Sequence, residues 1–325
     1  MPSPSWDAYP VPSDLPPVVI NDPALPLVSI VTPSYNQGQF VRETIESVLT
    51  QDYPNIEYWV VDGSSTDGTI SILKAYEHDP RFHWVSEKDR GQGDAVNKGW
   101  SRCRGEIVAW LNSDDTYCPD AVQAQAGYLL QNPDVDIVYG DYVFTNQCGV
   151  HVRNGYGRPF QFIELLRFTI PCQPTVFLTK KAILCGGPLD ISFYYSVDSE
   201  YWLRLYKQGL RFAYNPRLVA TYRLHASSKT VASRSKAHED WRRLIRSYAP
   251  PEYYSEVLAD LYLAIAIHLV GEGKIRQSLQ HARHALSIAR TRRMLLYAAV
   301  LADRIMGTSF HDYLLEYWTR AKRSV

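Results

Sequence analysis

From Leu27 to Gln131 short apolar runs alternate with segments of helical period, and the turns between them are brief. Leu27–Val31, Ile56–Val61, Phe82–Val85 and Ile107–Leu111 read as strands. Gln39–Thr50 reads as a helix with Phe40, Val41, Ile45, Val48 and Leu49 on one side, and further helices follow Gly68, Gly91 and Asp120. Such alternation implies an α/β fold, a mostly parallel sheet covered by helices on both faces. Ligands of such sheets bind outside the carboxyl ends of the strands.

Three of these strand ends carry polar groups that suit a ligand: Tyr35 and Asn36, Asp62, and the pair Asp114 and Asp115. Adjacent carboxylates repel, so both stay ionised only beside a cation or strong donors. Oxygen ligands of this kind suit Mg²⁺ or Mn²⁺, which usually also hold substrate phosphates. The alternative for the Asp pair is a helix N-cap or a solvated turn. The convergence of several strand ends favours a site. No Gly-Lys-Ser/Thr phosphate loop is present, and Gly91-Gln92-Gly93 is no dinucleotide fingerprint, because Val96 holds the third glycine position.

Beyond Gln131 the pattern loosens. Val135–Tyr139 reads as a strand and Asp141–Val152 as a strand or hairpin. Phe160–Phe168, Lys180–Cys185 and Glu200–Gln208 read as helices, and Phe212–Tyr214 and Leu218–Arg223 as strands. From about Ser235 the pattern is helical, with helices expected near 235–248, 252–270, 274–290, 292–306 and 309–322. Three regions follow: a Pro- and Ser-rich extended arm over 1–26, an α/β domain over 27–232, and a helical region with repeat-like helix pairs over 233–325. In the last, Leu279, Ala282, Leu286 and Ala289 are expected to form a buried stripe.

The overall charge of zero hides a division. Residues 201–325 hold 21 Lys and Arg against 9 Asp and Glu, and the front part is acidic to the same extent. An acidic front suits metal chemistry, and a basic stretch through Lys274, Arg276, Arg283, Arg290, Arg292 and Arg293 suits an anionic membrane surface or a solvated helix face. Five scattered cysteines with no Cys-x-x-Cys fit a reducing compartment. The N-terminus lacks an apolar core segment, so no signal peptide is expected. No apolar run is expected to reach a membrane span; Leu258–Val270 is interrupted by Asp260 and His268.

Val31–Asn36, Val61–Thr69, Gly91–Gly99 and Trp110–Asp115 occur in this order, followed by Val197–Arg204 and then Tyr222–His225 with Ser227 and Ser228. Together these segments resemble the family 2 inverting glycosyltransferases, which have the glycosyltransferase-A fold, and the resemblance covers roughly residues 26–232. It implies that Thr32, Pro33, Tyr35 and Asn36 line a nucleotide pocket with Tyr35 near the base. It implies that Asp62 accepts a hydrogen bond from uracil or thymine. Gly63 stands where many members carry a second Asp, and Asp67 is expected to be a turn residue. Arg90 and Asp94 are expected at the nucleotide, Asp114 at the ribose or behind the metal, and Asp115 as the direct ligand of Mn²⁺ or Mg²⁺, with His225 adding a metal or diphosphate contact.

By the same resemblance Asp198 is the general base of an inverting transfer, which needs one carboxylate and no covalent intermediate. Glu200 is the runner-up; both residues also suit the first turn of a helix. The implied activity is transfer of a hexose from a UDP- or dTDP-sugar to a hydroxyl of a glycan or lipid-linked acceptor in cell-surface polysaccharide synthesis. The expected setting is the cytoplasm, with peripheral contact at the inner face of the membrane or homo-oligomerisation through 233–325. Nothing points to a nucleic-acid partner. The alternative is a catalytically inactive scaffold acting through its helical tail.

Overall fold

The structure, a computed structural model, describes residues 4–167, 171–228, 234–289 and 293–306. These divide into two compact units. The first holds the described residues up to Leu165 and from Pro171 to Arg234; the second holds those from Ser235 onward, with Leu166 and Arg167.

In the first unit the chain forms β1 (Val28–Ser34), α1 (Val41–Leu49), β2 (Ile56–Asp62), α2 (Thr69–Lys74), β3 (Phe82–Ser86), α3 (Gln92–Trp100) and β4 (Ile107–Trp110). The order β3-β2-β1-β4 is parallel throughout. Every residue of β1, β2 and β4 is buried, as expected of strands covered by helices on both faces. In α1, Val41, Thr44, Ile45 and Val48 are buried, at the spacing of one helical face. Helix α3 lies close on β1 because Gly99 has no side chain: a Cβ there would stand 2.3 Å from Val31 Cγ1.

The rest of the sheet is mixed. β5 (Thr116–Tyr117), α4 (Ala121–Gln131), β6 (Ile137–Thr145), β7 (His151–Gly155), α5 (Phe162–Leu165), β8 (Phe177–Thr179), α6 (Lys180–Gly186), α7 (Val197–Lys207) and β9 (Phe212–Arg223) follow. β8 runs antiparallel between β4 and β6, β9 runs parallel to β6, and β5 pairs antiparallel with β9 through Thr116 and Thr221. β6 joins the strand expected before Gly140 to the first part of the segment expected after it, whose remainder turns back into β7 as an antiparallel hairpin; β9 joins the two strands expected within 212–223. The pairing of β6 with β9 shifts register around Tyr139 and Asp141. Gly140 permits that bend, since a Cβ there would meet Val219 Cγ2 at 2.5 Å. Helix α5 is much shorter than expected, and the expectation for Phe168 lies outside the described residues.

The N-terminal arm is tied to this unit rather than loose. Tyr9 is buried and its hydroxyl donates to Asp94 Oδ1 at 2.8 Å. Arg104 donates to the Pro16 carbonyl, and Asn55 Oδ1 accepts the N–H groups of Asn21 and Asp22.

The second unit contains α8 (Arg234–Tyr248), α9 (Pro251–Gly271), α10 (Ile275–Ile288) and α11 (Arg293–Met306); the helix expected near 309–322 lies outside the described residues. Ala259, Leu263, Ala266 and Val270 of α9 pack with Ala282 and Ala285 of α10 and Tyr297 of α11. Two expectations need correction. Leu279 and Leu286 are exposed, at 37% and 47%, because α10 turns its small residues Ser278, Ala282 and Ala285 inward and Ser278 Oγ donates to the Ala266 carbonyl at 2.8 Å. And α9, extended by its flanks to 21 residues, is long and apolar enough to cross a membrane by length and composition. Here it is the central helix of the unit, with buried Asp260 accepting from Arg167 Nε at 3.0 Å.

Candidate active site

A cavity of about 340 Å³ opens at the carboxyl ends of β1 and β4. Pro33, Ser34 and Tyr35 line it from β1, Asp89, Gly91 and Gln92 from the loop into α3, and Asn112 to Asp115 from the end of β4. Tyr194, Tyr195 and Asp198 reach it from the start of α7, and Tyr222, Arg223, Ser227 and Ser228 from β9 and beyond.

Its floor is a hydrogen-bonded frame around Asn112. Asn112 Oδ1 accepts from Gln92 Nε2 and Trp110 Nε1, and its Nδ2 donates to Gln173 Oε1 at 2.9 Å and toward Asp115 Oδ2 at 3.3 Å. Gln173 in turn donates to the Trp110 carbonyl at 2.6 Å. The frame fixes how the chain leaves β4 and so where the two carboxylates point.

Those carboxylates point differently. Asp115 is buried; its Oδ1 accepts the Arg223 N–H at 2.9 Å. Burial, and after it the charge of Asp114, push its carboxyl well above the usual carboxylate range. Asp114 is more open, and its Oδ2 stands 2.9 Å from His225 Nε2. The buried Arg223 guanidinium donates to the Asp114 carbonyl at 2.8 Å and to the Gln147 carbonyl at 3.0 Å, and pairs with Glu43. The Arg223 charge lies near this pair, but its guanidinium donates to main-chain carbonyls and pairs with Glu43 rather than with either carboxylate; a divalent cation suits two adjacent carboxylates so placed. Among the described residues no three His, Cys, Asp or Glu side chains form a ready cage. A cation here would therefore draw its remaining ligands from water and phosphate oxygens.

Asp198 lines the cavity, and its Oδ1 accepts the Ser199 N–H at 2.7 Å in the first turn of α7. Glu200 does not line it: both its oxygens pair with buried Arg204, at 3.0 and 2.9 Å, so it is a structural carboxylate. The helical period explains this, since a residue two positions on from Asp198 faces a different side of the helix.

Several residues expected at the nucleotide are engaged elsewhere. Thr32 is buried, with Oγ1 2.9 Å from the Tyr58 hydroxyl. Asn36 Oδ1 accepts the Thr66 N–H at 2.8 Å and binds the β1 turn to the β2 turn. Asp62 is fully buried and accepts from Ser65 N, Ser65 Oγ and Ser86 Oγ at 2.9, 2.5 and 2.6 Å. Asp67 accepts the N–H groups of Gly38 and Thr69, as a turn residue does. Asp94 is held by Arg90 and Tyr9 behind the cavity rather than in it. Burial raises its pKa, but these hydrogen bonds outweigh burial and hold the carboxyl below the usual range. Pro33 and Tyr35 do line the cavity, with Tyr35 60% exposed at its mouth. Sequence reasoning assigned no role to Ser34, Asp89, Gln173 or Arg223; Tyr194 lies in the stretch Phe193–Tyr195 expected to bear on acceptor choice, and it lines the cavity. Of the first four, Ser34 and Arg223 carried a signal, since each lies within a motif segment.

The description "Glycosyl transferase family 2" matches residues 29–184. The putative teichuronic acid biosynthesis glycosyltransferase TuaG of Bacillus subtilis is 31% identical over 221 residues, 66% of this chain and 86% of that protein. The chain belongs to glycosyltransferase family 2. A chondroitin synthase of Escherichia coli is 31% identical over 186 residues, 57% of this chain, but the match spans only 27% of that protein. Among solved structures, a mannosyltransferase of Pyrobaculum calidifontis in complex with GDP-Man and Mn²⁺ superposes with a TM-score of 0.59 at 20% identity, covering 95% of this chain and 89% of that one. S. aureus TarS superposes with a TM-score of 0.56 at 17% identity, covering 91% and 53%. These likenesses show that this family 2 chain has the glycosyltransferase-A type of fold.

Proposed function

We propose that this family 2 enzyme moves a sugar, with inversion, from a nucleoside diphosphate sugar to a hydroxyl of a glycan or lipid-linked acceptor, in cell-surface polysaccharide synthesis. The observation that carries the reading is one cavity lined by both Asp114 and Asp198, with His225 on the former. It offers a cation-binding end and a separate carboxylate held in place as a base.

In this reading Asp114 and His225 hold a divalent cation, Mn²⁺ or Mg²⁺, and Asp115 positions them through Arg223. When bound, the cation neutralises charge on the departing diphosphate. Asp198 takes the proton of the acceptor hydroxyl as its oxygen forms the new bond to the anomeric carbon and the nucleoside diphosphate leaves from the opposite face. Tyr35 and Pro33 flank the base, and Tyr194 and Tyr195, whose rings lie 4.9 Å apart, flank the acceptor. The second unit is proposed to meet the membrane: exposed Leu279 and Leu286 share α10 with exposed Arg276 and Arg283, the composition of an interfacial helix. In this reading the enzyme works at the cytoplasmic face of a membrane.

The test is calorimetric titration with UDP, dTDP and GDP, each with Mn²⁺ and with chelator, on wild type and Asp114→Ala. Metal-dependent binding that the substitution abolishes supports the donor site. Failure of all three to bind overturns it.

A further inference from the structure

The cavity also holds the carboxylate of Asp89, and its role rests on the donor-site reading above. The strand order sets the direction: Asp114 follows β4, Ser34 ends β1, and Gly63 follows β2, the next strand over. A donor whose diphosphate lies at Asp114 and His225 extends its base along this edge, past Pro33 and Tyr35. The sheet spacing of ~4.8 Å per strand puts the end of β2 roughly 10 Å from that of β4.

At that far end two polar residues line the cavity. One is the half-buried carboxylate of Asp89, whose Oδ1 accepts the Gly91 N–H at 2.7 Å. The other is the hydroxyl of Ser34, 4% exposed, whose Oγ has no hydrogen-bond partner although the residue lines the cavity. Both are seated on Gly63. Its N–H donates to the Ser34 carbonyl at 2.8 Å, and a Cβ at Gly63 would stand 2.6 Å from Asp89 Oδ2. Gly63 thus leaves the space that the Asp89 carboxylate fills. Asp62, by contrast, spends its oxygens on Ser65 and Ser86. A buried hydroxyl without a partner is uncommon, and one on a residue that lines a cavity is a contact that a ligand can complete.

We propose that Asp89 and Ser34 together read the hydrogen-bonding edge of the donor's base and select bases that present a ring N–H beside a carbonyl oxygen. The carboxylate only accepts, and takes the N–H; the hydroxyl donates to the neighbouring carbonyl. Uracil, thymine and guanine present that edge. Cytosine and adenine place an amino group beside an acceptor nitrogen instead, which leaves the hydroxyl facing an amine and the carboxylate facing a lone pair.

The experiment is calorimetric titration of the full chain, in Mn²⁺, with UDP, dTDP, GDP, CDP and ADP, repeated on Asp89→Ala, Ser34→Ala and Asp62→Ala after thermal melts have shown each variant folded. The wild type is expected to bind at least one of the first three more tightly than CDP and ADP. Asp89→Ala is expected to weaken that nucleotide about 10- to 100-fold, the scale of a lost charge-assisted hydrogen bond, and to change CDP little, so that the preference collapses. Ser34→Ala acts in the same direction with a smaller effect. An Asp89→Ala protein that keeps both affinity and preference overturns the proposal, as does collapse of the preference in Asp62→Ala alone. If the wild type binds no nucleotide, the donor-site reading itself fails, and this inference fails with it.

Discussion

The backbone N–H of Arg223 donates to Asp115 Oδ1 across 2.9 Å, between residues 108 positions apart in the chain. This contact ties the end of β9 to the end of β4 and separates the roles of two adjacent carboxylates. Both line the cavity; Asp115 is the more buried and is anchored on the Arg223 N–H, whereas Asp114 is more open and meets His225.

That separation is testable. Asp114→Ala and His225→Ala are each expected to abolish the metal-dependent part of nucleotide binding while leaving thermal stability near wild type. Asp115→Leu is expected to lower stability by about 1–3 kcal/mol, the cost of a buried N–H left without its acceptor, whereas Asp115→Asn keeps an acceptor oxygen and most of the stability. Calorimetry with Mn²⁺ and chemical denaturation read the two effects apart. Equal loss of metal dependence without loss of stability in Asp115→Leu would reverse the assignment.

Asp198 and Glu200 offer a second contrast. Asp198→Asn is expected to reduce kcat by about 10²–10⁴-fold, the range for loss of a general base, with little change in donor KM. Glu200→Gln removes one partner of a buried ion pair, which costs about 3–5 kcal/mol. It should therefore melt early yet keep its turnover at temperatures where it is folded. Steady-state kinetics beside thermal melts decide this.

The arm gives a pH dependence. Asp94 is held below the usual carboxylate range because the hydrogen bonds from Arg90 and Tyr9 outweigh its burial. A group with a lowered folded pKa stabilises the protein above its unfolded value, about 3.9, and that stability fades as pH falls through the lower folded value. Tyr9→Phe, which removes one donor to Asp94, is expected to narrow the loss of melting temperature between neutral pH and pH 3. An unchanged pH profile would mean that the arm does not hold this carboxylate.

Gly99→Ala tests the packing of α3 on β1. The added Cβ would stand 2.3 Å from Val31 Cγ1, so the helix must shift. The expected cost is about 1–3 kcal/mol, typical of an overfilled core, measured by denaturant midpoint. A neutral result would show that the helix moves freely on the sheet.

The parallel half of the fold was legible because each strand is a short apolar run ending in turn residues, a pattern set by burial on both faces. The mixed half was not. Its two longest strands pair around Gly140 through a register shift, and such a bend leaves no periodicity to read. At the site, Asp114 and Asp198 could be picked out because motifs carry them. Whether a side chain faces the cavity or its own neighbours was invisible: Thr32 turns to Tyr58, Asp62 to Ser65 and Ser86, and Glu200 to Arg204. Each depends on a partner chosen by the three-dimensional packing, several of them distant in sequence. Asp89 went unnoticed for the same reason, since the space it occupies is made by a glycine in another loop.

The contact between His225 and Asp114 joins residues 111 positions apart, and this has a consequence for biosynthesis. At about 5–20 residues per second, the ribosome takes roughly 5–20 s after making Asp114 to make its imidazole partner. Throughout that interval a parallel half-sheet can form while the Asp114–His225 end of the cavity remains incomplete. A nascent or prematurely terminated chain is therefore expected to be silent toward sugar donors, and the first donor bound reports that β9 has docked.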